Sequence, residues 1–197
     1  MPNLVNNNTQ IPAARVQLWD ATTNYVSRGW YRWFFNTYQA VEAGRRYGSF
    51  YDTTTQTTAA INTAKEMVFN TTTSQYGVYI GTPSSRIYVD NTATYNIQFT
   101  AQLSNTAVTA QNIYIWLRVN GAVTPVANSA AKILVAASST AAAVAARNFV
   151  INLTAGDYFE IMWSTDNTGV RLSAIAASSP VPAIPSVALT VTSSVGV

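Results

Sequence analysis

The chain has 197 residues, enough for one all-β domain with a full core plus an attachment segment and short for two independent domains. Only 10% of it is charged, and it contains neither cysteine nor histidine, which removes disulfides, thiol nucleophiles, His-supported serine triads and zinc sites of the usual nitrogen and sulfur ligands. The net charge of +3 is too small to argue for nucleic acid, and it sits at one end: Arg15, Arg28, Arg32, Arg45 and Arg46 against Asp20 and Glu42 account for all of it, leaving residues 47–197 neutral.

Residues 1–17 are rich in Asn, Thr and Pro and follow neither a helical nor a strand period, so an extended arm that orders on a partner is expected there. The start has no basic n-region or apolar h-region, and no secretory signal is expected. Over residues 27–44 the period becomes helical. Trp30, Trp33, Phe34, Tyr38 and Val41 recur at i, i+3, i+4, i+8 and i+11, one stripe of an α-helix, with Ser27 placed to cap its start and Gly44 to end it.

From residue 47 the period is two. In 94–103, Tyr95, Ile97, Phe99, Ala101 and Leu103 share one face while Asn96, Gln98, Thr100 and Gln102 share the other, a half-buried antiparallel strand. Residues 111–119 alternate in the same way and stop at Asn120-Gly121, the strongest short turn signal. A second hairpin is expected around Ala155-Gly156, joining 148–153 to 157–163, and a terminal strand over 187–191. Weaker strands are expected near 48–53, 65–70, 77–81, 86–90, 131–136 and 169–175. Residues 126–146 look apolar but are mainly Ala, Ser and Thr around Lys132, too polar for a membrane span. About ten short strands divided by Gly, Pro, Asn and Ser clusters predict an all-β fold: an antiparallel two-sheet β-sandwich of jelly-roll type over residues 47–197, preceded by an arm and one aromatic helix over 1–46.

Sites for chemistry are scarce. No Gly-x-Gly-x-x-Gly, Walker or Gly-x-Ser-x-Gly pattern occurs, and no acid sits in a calcium-loop spacing, so no cofactor, metal site or catalytic residue is expected. Two of the eight acids could converge as a glycosidase pair, but turn and surface positions are the expectation for Asp157, Glu160 and the others. What remains is recognition. The helix carries Trp30, Tyr31, Trp33, Phe34, Phe35 and Tyr38, more aromatic surface than one stripe buries against its own domain. Either it seals the base of the sandwich or it docks on a partner, and rings interleaved with Arg28 and Arg32 have the composition of an interface hot spot. On the strand 111–119, Tyr114 and Trp116 point away from the Ile113, Ile115, Leu117 side, a face suited to burial in a homotrimer or, as in lectins, to stacking on a sugar.

These residues resemble a family. Gly48-Ser-Phe-Tyr-Asp, Ser85-Arg-Ile-Tyr-Val, Thr94-Tyr-Asn-Ile-Gln-Phe, Ile115-Trp-Leu-Arg-Val-Asn-Gly and Ala155-Gly-Asp-Tyr-Phe-Glu-Ile-Met-Trp-Ser, in that order, resemble virion structural proteins of tailed bacteriophages, notably those infecting cyanobacteria. The likeness spans most of residues 47–192, and the domain looks like the trimeric jelly roll of tumour necrosis factor and the complement globular heads. Leu18-Trp-Asp followed by Ser27-Arg-Gly-Trp-Tyr-Arg-Trp-Phe-Phe also looks like a segment near the start of phage particle proteins. The resemblance implies a non-enzymatic homotrimer on the capsid exterior, a cement or decoration protein bound to the major capsid protein, with no nucleic-acid or membrane partner. Trp19, Arg28, Trp30, Arg32, Trp33, Phe34, Tyr38, Arg45 and Arg46 would dock it, and Tyr114 and Trp116 would form the trimer interface. The alternative is a tail or head fibre or adaptor that binds a host surface glycan.

Overall fold

The computed structural model describes residues 11–43, 46–137 and 142–193. The arm contains a short hairpin, β1 (Trp19–Asp20) and β2 (Tyr25–Val26), followed by helix α1 (Arg28–Ala43). Strands then run β3 (Tyr47–Asp52), β4 (Lys65–Glu66), β5 (Thr71–Tyr76), β6 (Val78–Ile80), β7 (Ile87–Val89) and β8 (Ala93–Asn105). They continue as β9 (Gln111–Val119), β10 (Ala131–Val135), β11 (Ala142–Leu153), β12 (Tyr158–Thr165), β13 (Val170–Leu172) and β14 (Val187–Ser193).

Apart from the β1-β2 hairpin, the strand pairings fall into two facing sheets, and all are antiparallel. One runs β10-β9-β12-β7-β6, with β4 also on β12; the other runs β11-β8-β14-β3-β5, with β13 also on β8. This is a jelly-roll β-sandwich, as the alternation predicts. The inward faces close one core. Tyr95, Ile97, Phe99 and Leu103 of β8 meet Ile113, Ile115 and Leu117 of β9 and Phe159, Ile161 and Trp163 of β12, each 1% exposed or less. Each such side chain contributes roughly 1.5–3 kcal/mol by leaving water, so the sandwich stands without disulfides.

The expected hairpin around Ala155-Gly156 does not form. β11 pairs with β8 from Ala142↔Ser104 to Leu153↔Ala93, while β12 pairs with β9 from Phe159↔Val119 to Thr165↔Ile113. Gly156, at φ 91°, therefore turns the chain from one sheet to the other. Its N–H donates to Val89 O, and the Asp157 carboxylate accepts from Thr154 N at 2.7 Å and from Asn120 Nδ2 at 2.7 Å. Alternation fixes which face of a strand is buried but leaves its neighbour open, and this is where the sequence reading fails.

Two of the acids expected on the surface are buried. Asp52 is 1% exposed and accepts from Thr54 N, Thr54 Oγ1 and Gln56 Nε2, which fastens the long connection after β3. Glu160 is 2% exposed on the outer side of β12.

Candidate functional site

The arm and helix hold together locally. Ser27 N donates to Leu18 O at 2.8 Å, Ser27 Oγ to Gln17 O at 2.6 Å and Trp30 Nε1 to Val16 O at 2.9 Å, so the helix is tied to the segment before it. Ser27 begins the helix through its carbonyl, which accepts from Tyr31 N. In the hairpin turn, Asp20 Oδ1 accepts from Thr22 N at 2.9 Å and from Thr23 N at 3.3 Å. These backbone bonds hold the Asp20 carboxyl below its ordinary range. Gly44 and Arg45 lie outside the described residues.

The helix presents its rings to solvent. Tyr31 is 62% exposed, Phe35 51% and Tyr38 59%, with Trp19, Phe34 and Val41 about half exposed beside them. Trp30 and Trp33 are half-buried and meet edge to face at 5.8 Å, Trp33 and Phe34 at 5.2 Å, and Tyr31 stacks on Phe35 at 6.4 Å. Arg28 and Arg32 are exposed on the same helix. Arg46 has a different situation: Arg46 Nε donates to Asp90 Oδ1 at 2.8 Å and its guanidinium lies 4.8 Å from the Tyr76 ring centroid. It anchors the junction between arm and sandwich.

Tyr114 and Trp116 lie on the outer face of the β9 and β12 sheet, and they are part of a larger polar and aromatic surface. Tyr114 stands between Lys132 and Ser164, and Trp116 opposite Met162. One row further, Arg118 faces Glu160 and donates to its Oε2 from Nε at 3.0 Å and from Nη2 at 2.7 Å. The same Nη2 donates to Glu66 Oε1 at 2.8 Å, and Ser85 Oγ donates to Glu160 Oε1 at 3.1 Å. Burial pushes the Arg118 guanidinium down, and the bonds to Glu160 and Glu66 outweigh it, leaving the group above its usual range. Glu160 and Glu66 are thus both bound to one guanidinium.

Sequence reading missed Tyr79, Tyr88 and Tyr158, which continue this face across β6, β7 and β12. Their signal was present in part: Tyr79 and Tyr88 each sit between apolar residues on a three-residue strand, and Tyr158 opens β12 just before the buried Phe159. A cavity of about 630 Å³ lies elsewhere, between Tyr51, Thr53 and Thr55 and the segment carrying Ile175, Ile184 and Pro185. No charged side chain lines it. Among the described residues no cluster of His, Cys, Asp or Glu could hold a metal ion, and no helix is long and apolar enough to cross a membrane.

Topology and site together define a jelly-roll sandwich with an aromatic surface helix. No family model and no curated protein matches the chain. Among solved structures it is similar to the globular domain of zebrafish complement 1qA protein, at 13% identity and a TM-score of 0.46, covering 75% of this chain and 96% of that one. It is also similar to murine APRIL at pH 5.0, at 11% identity and a TM-score of 0.47, covering 75% of this chain and 98% of that one.

Proposed function

We propose that this protein is a non-enzymatic structural component of a tailed-bacteriophage particle, a homotrimeric cement or decoration protein held on the capsid exterior by its arm and helix. The observation that carries the reading is the helix surface: Tyr31, Phe34, Phe35, Tyr38 and Val41 are each about half exposed or more beside Arg28 and Arg32. Rings and guanidinium groups gathered on one element are what an interface buries, and this much aromatic surface left in water marks a partner site. The sandwich then faces outward and supplies bulk and self-association.

The face that best supports a homotrimer is the outer side of the β8 sheet. Its outward residues on β11, β8, β14 and β3, among them Val150, Gln98, Thr100, Thr190 and Ser49, include no charge, so a neighbour that covers them and leaves Arg171 of β13, opposite Ser104, in water desolvates no ion. Tyr114 and Trp116 share their face with Lys132, Arg118 and Glu66, whose burial is costlier.

An electron-microscopy reconstruction of the native particle tests the placement. Density for this chain repeated over the shell at symmetry axes is the expected result. Density confined to the tail or to one vertex would overturn it in favour of a fibre or adaptor.

A further inference from the structure

The cavity of about 630 Å³ opens beside the end of β3, and the attachment role does not use it. Two segments wall it. Thr53 and Thr55 continue the chain from β3 on one side, and the connection from β13 to β14 carries Ile175, Ala176, Ile184 and Pro185 on the other. Both walls are fastened by backbone bonds. Gln56 and Leu172 exchange N–H to O bonds of 2.8 and 3.0 Å, which tie the two segments together. Ile175 and Ile184 exchange two more of 2.9 Å, which fold the connection into a narrow loop, and Ser178 and Val181 close its tip in the same way. The space is therefore formed before anything enters it, and its volume lies in the range of small-molecule pockets.

The chemistry of the walls is divided. The β13 to β14 connection is aliphatic, and Ile175 is 44% exposed, so a hydrocarbon entering the cavity covers apolar surface that water now touches. The opposite wall carries hydroxyls. Thr53 Oγ1 accepts from Asn70 Nδ2 at 2.9 Å, and Thr55 Oγ1 accepts from Ala174 N at 3.1 Å. Each oxygen is thus held by a donor of the protein, while among the described residues neither O–H has an acceptor, and both protons remain for an acceptor in the cavity.

We propose that this cavity binds a small neutral acyl compound, an ester or amide carrying a short aliphatic chain. The chain rests on Ile175, Ala176, Ile184 and Pro185, and the carbonyl oxygen accepts from the Thr53 or Thr55 hydroxyl. An ionised head group is disfavoured, because no charged side chain lines the cavity to offset its desolvation. A polyol is disfavoured as well, since the aliphatic wall would leave most of its hydroxyls without partners. The inference goes beyond the cement reading and holds whether or not the chain sits on a capsid.

An NMR titration of the full-length protein, labelled at its isoleucine δ1 methyl groups, with methyl octanoate tests it. Saturable shifts of the Ile175 and Ile184 signals are expected, while those of the buried Ile97 and Ile161 stay in place. Octanoate at pH 8 should bind at least about tenfold more weakly, because its carboxylate must be desolvated without a counter-charge. Ala176→Trp puts a ring into the cavity from an exposed position and should abolish the shifts, with unchanged Ile97 and Ile161 signals verifying the fold. Thr55→Val should weaken binding about fivefold, as for one hydrogen bond, and Thr55→Ser should preserve it. Absence of saturable shifts, equal binding of octanoate, shifts retained in Ala176→Trp, or undiminished affinity in Thr55→Val would each overturn the proposal.

Discussion

Tyr95 and Glu160 are polar side chains that the fold removes from water, and each ties stability to a named contact. Tyr95 is fully buried and its hydroxyl donates to Asn91 O at 2.7 Å. Burial, reinforced by the nearby Asp90 carboxylate, pushes its phenol up to about 12 from an ordinary value of 10.0. The folded value lies above the unfolded one, so the contribution is fully present below about pH 10 and is lost as pH rises through about 12, on the order of 2–3 kcal/mol. Tyr95→Phe removes the ionisation together with one hydrogen bond worth about 1 kcal/mol. Urea unfolding should therefore find wild type more stable than Tyr95→Phe at pH 8 and less stable near pH 12. A gap that does not change with pH would contradict the assignment. Glu160 is the second case. Glu160→Gln leaves Arg118, only 23% exposed, with half of its counter-charge, and a loss of about 2–4 kcal/mol is expected in thermal unfolding. A loss near zero would mean that the network behaves like an exposed ion pair.

Among the elements, those with large side chains at a clean period were legible in the sequence. The α1 stripe, the β8 and β9 alternation and the Asn120-Gly121 turn, at φ 50° and 66°, all appear where the pattern puts them. The first half of β11, Ala142 to Arg147, was not read because a run of Ala has too little contrast between its faces to show a period. β5 was missed for a related reason: Thr71–Tyr76 lies mostly exposed on an edge, and its Thr and Ser residues fit either face. The candidate surfaces divide in the same way. The helix rings are neighbours in sequence and could be grouped; the Tyr79, Tyr88 and Tyr158 row is assembled from three strands and needs the register. At this scale the helix can be tested apart from the sandwich. Phe34→Ala and Tyr38→Ala remove exposed rings, so each should change stability by no more than about 0.5 kcal/mol while weakening attachment to purified particles in a pull-down. Gly77→Ala should do the reverse. Gly77 has φ 68°, and a Cβ there would meet Arg46 Cδ and Asp90 Oδ1. The substitution strains the backbone and displaces the Arg46 anchor, at a cost of about 1–3 kcal/mol measured by urea unfolding.

At the level of the whole molecule, the two outer faces of the sandwich make opposite demands on an assembly. Apart from Arg171 beside Ser104 on β13, the β8 sheet offers uncharged side chains, mostly Thr, Asn, Gln, Ser, Ala and Val, including Val144 at 58% and Val150 at 68% exposure, over a broad surface. Such a surface gains from burial of its apolar atoms and loses no ion solvation. The β12 sheet sets Tyr114 and Trp116 beside Lys132 and the Arg118 network, and a neighbour packed there must match or desolvate those charges. Sedimentation velocity on charge-bearing variants separates the two. Thr100→Arg places a guanidinium in the middle of the β8 face, at a position exposed in the protomer, so it cannot unfold the chain by overpacking. A homotrimer built on that face should fall to monomers with Thr100→Arg and keep its sedimentation coefficient with Trp116→Arg. If the results are exchanged, the interface belongs to Tyr114 and Trp116, and the neighbouring copy is built to match Lys132 and the Arg118 network.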